Sequence, residues 1–123
     1  MTGESKVLQL ILRLTRATVE KEIEWKTSAA PRSLTAGTDD IVPLYIETAY
    51  KGQRIALIER RYQRYDEERD SFYWVGDSSI AILDAEGRIV WESKENASSL
   101  DNLFQVARES AAKLDRILDL LLS

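Results

Sequence analysis

Apolar residues recur along this chain at two different periods, and the change from one to the other marks its elements. Between residues 4 and 20, Val7, Leu8, Leu10, Ile11, Leu12 and Leu14 form a wide apolar arc at helical spacing, leaving Gln9, Arg13, Arg16 and Glu20 for solvent. An arc this wide predicts a helix covered on more than one side. At the other end Leu100, Leu103, Phe104, Ala107, Ala111, Leu114, Ile117, Leu118 and Leu121 recur at three- and four-residue steps. They predict one helix of about 23 residues, roughly 35 Å long. Ser98 is placed to cap it, and Asp101 to complement its dipole.

Between the helices the period becomes two. Glu20, Glu22, Glu24 and Lys26 alternate with Ile23, Trp25 and Thr27, predicting a short strand directly after the first helix. Residues 28–40, with Pro31, Gly37 and a Ser, Thr and Asp cluster, predict a loop. Four further alternating segments are separated by three turns: Lys51 and Gly52, residues 66–71, and Asp84 to Gly87. Folding at these turns places Ile46 opposite Leu57 and Thr48 opposite Ile55. Pairing Tyr65 with Phe72 then sets Ile55 across from Ile82 and Leu57 across from Ile80. The last turn sets Ile82 against Ile89 and Ile80 against Trp91. All three turns put Leu44, Ile46, Ile55, Leu57, Ile80, Ile82, Ile89 and Trp91 on one face, and a slip of one residue would reverse that face. A sheet with one apolar face needs covering, which assigns both helices to it.

The opposite face carries the sharpest functional clue. In the same register it holds Tyr45, Ala49, Ile58, Tyr62, Tyr73, Val75, Ala81, Leu83 and Val90, interrupted by Arg60, Arg64 and Asp77. Tyrosine with arginine is a composition enriched at interfaces, and a large bare apolar patch is unusual on a monomer. Tyr45, Ile58, Tyr62, Tyr73 and Val75 are therefore candidate anchors for a protein partner or a second copy of the chain, a symmetric homodimer being the commonest use of such a face. Folding of residues 28–40 over this face, or an ordinary β-surface in which tyrosine and valine simply favour strands, would explain the same pattern.

A second constellation overlaps the first. Arg60, Arg61, Tyr62, Gln63, Arg64 and Tyr65 interleave bases and aromatics, with Lys51, Arg54 and Arg69 nearby. Such a strand can neutralise phosphates and stack on bases, so Arg60 and Arg64 with the tyrosines are candidates for binding single-stranded nucleic acid or another anion. Glu59, Asp66, Glu67, Glu68 and Asp70 offset much of that field, and cross-strand pairing of Arg60 with Asp77 would occupy it further.

Composition narrows the chemistry. Without histidine the usual neutral-pH base is missing, and without cysteine so are disulfides, thiolate metal sites and a cysteine nucleophile. Gly76, Asp77 and Ser78 resemble the nucleophile motif of one esterase family, but no base accompanies the serine, and the triplet reads as a polar kink in a strand. Asp39 and Asp40 diverge and lack a third ligand, and the acidic turn at residues 66–70 lacks the glycine and terminal glutamate of a calcium loop. No glycine-rich phosphate loop is present. The expectation is a protein that is not an enzyme and needs no cofactor or metal. The net charge of −4 disfavours general attraction to nucleic acid or anionic membranes. No apolar run reaches the roughly 18 to 20 residues of a membrane span, and the first four residues lack the start of a signal peptide, so the expected location is cytoplasmic.

The order of Leu14-Thr15, then Ile23, Glu24, Trp25, Lys26 and Thr27, the tyrosine-rich hairpin, Ile82, Leu83 and Asp84, Gly87, and the closing Leu114-Asp115 with Ile117-Leu118 resembles a family of small uncharacterised prokaryotic proteins. The resemblance spans nearly the whole chain. It implies a helix, antiparallel sheet and helix fold and a bacterial source; the family has no established activity, and no functional residues carry over. A looser similarity is to small, acidic, dimeric secretion chaperones, from which this chain departs because its strands form one block without an internal helix. The chain of 123 residues is thus expected to form a single α+β domain, residues 1–123. Its expected architecture is an antiparallel meander of four or five strands with N- and C-terminal helices on one face. Its expected role is a non-catalytic protein-binding or assembly module, self-associating through the outer sheet face.

Overall fold

The computed structural model describes residues 3–123; Met1 and Thr2, the start of the stretch read against a signal peptide, lie outside the described residues. Helix α1, Gly3–Val19, is followed by five strands: β1, Lys26–Thr27; β2, Ile41–Tyr50; β3, Gln53–Asp66; β4, Ser71–Leu83; and β5, Ile89–Ser93. Helices α2, Ala97–Ala112, and α3, Leu114–Leu122, complete the chain. The strands form one antiparallel sheet in sequence order, β1 to β5, the α+β meander that the alternating pattern predicts.

The inner face of the sheet and the two long helices enclose the main core. Ile46, Ile55, Leu57 and Ile80 meet Ile11 and Leu14 of α1 and Leu100, Leu103, Phe104 and Ala107 of α2, all buried. Trp25 closes the end of this core. Its indole Nε1 donates to Thr18 Oγ1 at 2.9 Å and its backbone N–H to Ser110 Oγ at 3.1 Å, so both of its N–H donors are satisfied by the two helices it packs against. Thr48 Oγ1 donates to the Glu24 carbonyl at 2.7 Å, tying the α1 to β1 crossing to the sheet.

The predicted pairings of β2 with β3 and of β3 with β4 are present: Ile46 opposes Leu57, Ile55 opposes Ile82, Leu57 opposes Ile80 and Tyr65 opposes Phe72. Lys51 and Gly52, both at positive φ, make the first turn in the backbone conformation that a two-residue hairpin demands. The ladder between β3 and β4 runs without a shift from Arg54 to Asp66, so Gly76 and Asp77 lie in regular strand rather than at a kink.

Five local expectations are corrected. In the β4–β5 pair Ile82 faces Trp91 and Leu83 faces Ile89, so the register differs by two residues from the expected one. Val90 is the extra residue of a bulge there, which turns Ile89 to the outer face while Trp91 stays inside. The C-terminal helix is two helices. Lys113 adopts φ 54° and ends α2, and α3 departs with Leu120, Leu121 and Leu122 exposed. Asn96, not Ser98, stands at the start of α2, and its side chain makes no capping bond. The strand expected over residues 20–27 is confined to Lys26 and Thr27. Finally, α1 is covered on one broad side only, since Leu12 is half exposed.

Candidate interaction site

The outer face divides into two parts. Its proximal part is a second, smaller core of Tyr45, Ala56, Ile58, Ala81 and Leu83, closed by Ala30 and Leu34 from residues 28–40 together with Val42 and Ile89. The loop is held in place by a short 3-10 turn, Arg32–Leu34, and by the bond from the Ser28 N–H to the Tyr45 carbonyl at 3.2 Å. Two of the anticipated anchors, Tyr45 and Ile58, are buried beneath this cover, at 4% and 0% exposure, and belong to the interior. Burial, with the negative charge of Glu47 adding to it, pushes the Tyr45 hydroxyl pKa up to about 12.

The distal part is an arm. The last β2 pairing on β3 is at Arg61, and the last β5 pairing on β4 is at Ile80, so β3 and β4 continue as a two-stranded ribbon to the turn at residues 67–70. Cross-strand pairs along it are Tyr62 with Val75, Gln63 with Trp74, Arg64 with Tyr73, and Tyr65 with Phe72. Period two places Tyr62, Arg64, Tyr73 and Val75 on the outer side and Gln63, Tyr65, Phe72 and Trp74 on the inner side. Five of the chain's ten aromatic residues are therefore on this ribbon. Phe72 is 67% exposed, Trp74 49%, and Tyr65 and Tyr73 are about half exposed as well. The Tyr65 and Phe72 rings meet edge to face with centroids 5.2 Å apart, which stiffens the ribbon. The Arg64 guanidinium lies 5.4 Å from the centroid of the Tyr62 ring.

A polar network anchors the base of the arm. Both terminal guanidinium nitrogens of Arg60 donate to the Glu92 carboxylate, and Ser79 Oγ donates to the same carboxylate at 2.6 Å. Arg60 and Glu92 are mostly buried, and Ser79 is entirely so. Burial opposes the charged form of Glu92, but hydrogen bonds from Arg60 and Ser79 outweigh it and hold its carboxyl below the usual range. The hydrogen bond to Glu92 raises the Arg60 pKa in return. Asp77, the cross-strand neighbour of Arg60, pairs instead with Lys94 Nζ at 2.8 Å.

Of the anticipated site residues, the arm brings together Tyr62, Arg64, Tyr73 and Val75; Arg60 is committed to Glu92, and Tyr45 and Ile58 lie under the loop. Phe72 and Trp74 are part of the arm surface and lie outside the anticipated set, and Tyr65, anticipated only within the basic run of β3, joins them there. Their alternation is as regular as that of the outer side, but a wide sheet would have hidden them under a helix, whereas a two-stranded ribbon exposes both sides. Among the described residues no group of three or more acidic side chains is arranged to hold a metal ion, and no helix is long and apolar enough to cross a membrane. Comparison with protein-family models, curated protein sequences and solved structures finds no match to this chain.

Proposed function

We propose that this protein is a non-catalytic assembly module that self-associates through the β3–β4 arm. The observation that carries the reading is the concentration of half-exposed aromatic residues on a ribbon that outruns both neighbouring strands. A two-stranded ribbon with aromatics on both sides is marginal in water, and its exposed rings are stabilised when another surface covers them. Charge supports a protein surface over nucleic acid: Arg60, at the base of the arm, is neutralised by Glu92, and four acids crowd the tip.

The test is the mass in solution by light scattering on a sizing column, at low and high salt. The expected result is a mass near twice 14.1 kDa that persists at high salt, and a monomer for Trp74→Ser combined with Tyr73→Ser. A monomeric parent protein that instead binds an oligonucleotide, with affinity falling steeply as salt rises, overturns the reading.

A further inference from the structure

The charges of the arm are segregated along its length, and most of them have no ion-pair partner among the described residues. The β3 shaft carries Arg61 and Arg64, both exposed and without a carboxylate partner among the described residues; Arg64 donates to the Tyr62 hydroxyl at 3.3 Å. The tip carries Asp66, Glu67, Glu68 and Asp70 against a single base, Arg69, which approaches Asp66 at 3.8 Å. Glu67, Glu68 and Asp70 have no cationic partner among the described residues. At the same place β3 has a bare edge. Residues 62–66 pair with β4 on one side and, among the described residues, with no strand on the other, and no proline or glycine interrupts them.

We infer that two copies join edge to edge through these free β3 segments, running antiparallel, so that the basic shaft of each lies along the acidic tip of the other. The inference rests on self-association through the arm and specifies its geometry. Antiparallel pairing is what a two-fold axis perpendicular to the sheet produces, and every contact then occurs twice. Parallel pairing would set shaft on shaft and tip on tip. A register centred near Tyr65 sets Arg64 of one copy opposite Asp66 of the other, and in the resulting four-stranded sheet Phe72 and Tyr65 of both copies form one aromatic row on the inner side. The β4 edge is the weaker alternative. Residues 71–76 carry no charge to fix a register, and the Lys94–Asp77 pair stands at its base. In this arrangement backbone hydrogen bonds along the free β3 edges and the meeting of the two Tyr65 rings join the copies, and the charges set direction and exclude the parallel mode.

Charge exchange in the full-length chain tests the geometry. One variant carries Arg61→Glu and Arg64→Glu, a second carries Glu67→Lys and Glu68→Lys, and a third carries all four. Circular dichroism checks each fold, and light scattering across a dilution series reads the mass. The first two variants are expected to dissociate at concentrations about tenfold or more above the parent, because each sets like charges together twice. The fourfold variant is expected to regain the dimer. An equimolar mixture of the first two variants is expected to dimerise where neither does alone, since the acidic shaft of one then meets the basic tip of the other. A dimeric parent whose single-region variants also remain dimeric, or whose fourfold variant and mixture remain monomeric, overturns the antiparallel edge pairing while leaving self-association standing. A parent that is monomeric throughout overturns both.

Discussion

The two parts of the outer sheet face are made from the same alternation of apolar and polar residues, yet one is interior and the other bare. Around Ile58 the sheet is several strands wide, and Ala30 and Leu34 arrive from the loop to close it. Four residues further along the same strand, Tyr62 has only β4 beside it in the ladder. Strand width and a covering segment, rather than residue type, decide which positions belong to the core. The same substitution should accordingly have opposite consequences in the two parts: loss of stability in the proximal one, loss of association in the distal one.

The largest loss of stability is expected at Ile58→Ala. Its side chain is fully buried between the loop and the sheet, so its removal deletes transfer energy and leaves a cavity, together about 2–5 kcal/mol. Urea denaturation at fixed protein concentration measures it. Glu92→Gln follows, at about 2 kcal/mol, because it leaves the Arg60 charge mostly buried without its counter-ion. Its pH dependence identifies the cause. The Glu92 carboxyl is lowered on folding, so its contribution is present above the ordinary carboxylate range and fades as pH falls through the folded value. Parent and variant should differ most near neutral pH and converge in acid. Convergence at no pH would mean that the introduced amide perturbs packing rather than charge.

A smaller effect is expected from opening the cover. Leu34→Ser should cost about 1 kcal/mol of partly buried apolar area. Its specific sign is at Tyr45: with the loop loosened, the hydroxyl pKa should fall from about 12 toward 10.0, followed by ultraviolet titration. An unchanged Tyr45 titration would show that the sheet itself, without the loop, desolvates the ring.

Most of this architecture was legible from residue order. Three turns with glycine or acidic residues and four alternating segments specify two of the four strand pairings residue by residue, because a slip of one position reverses the apolar face. The third hairpin escaped because its turn is longer than its glycine suggests. Asp84 Oδ1 accepts from the N–H groups of both Glu86 and Arg88, so β5 begins only at Ile89, and the bulge at Val90 then absorbs one more residue. The break at Lys113 lies within an unbroken apolar period and carries neither glycine nor proline. The covered half of the outer face was illegible for a different reason: Ala30 and Leu34 are isolated apolar positions in a polar segment, with no period to assign them to a face. Trp74 and Phe72 were visible as strand residues, but their exposure depends on where β2 begins and β5 ends.

The smallest stability effect, and the sharpest contrast with Ile58, is expected at Trp74. About half of its surface is already in water, its cross-strand partner is Gln63, and the Tyr65–Phe72 contact that stiffens the ribbon does not include it. Trp74→Ser should therefore shift the urea midpoint of the monomer by no more than about 0.5 kcal/mol. If self-association covers the rings of the arm, the same change should weaken it strongly, since aromatic residues dominate such contacts, whereas joining through the β3 edge alone, one strand away from Trp74, should be little affected. Stability measured across a dilution series separates the two effects. The parent should become more stable as concentration rises, by mass action, while the Trp74→Ser chain should show no such dependence. A concentration-dependent variant would place the contact on the β3 edge rather than over the rings, and a variant destabilised even in dilute solution would make Trp74 a structural residue of the ribbon.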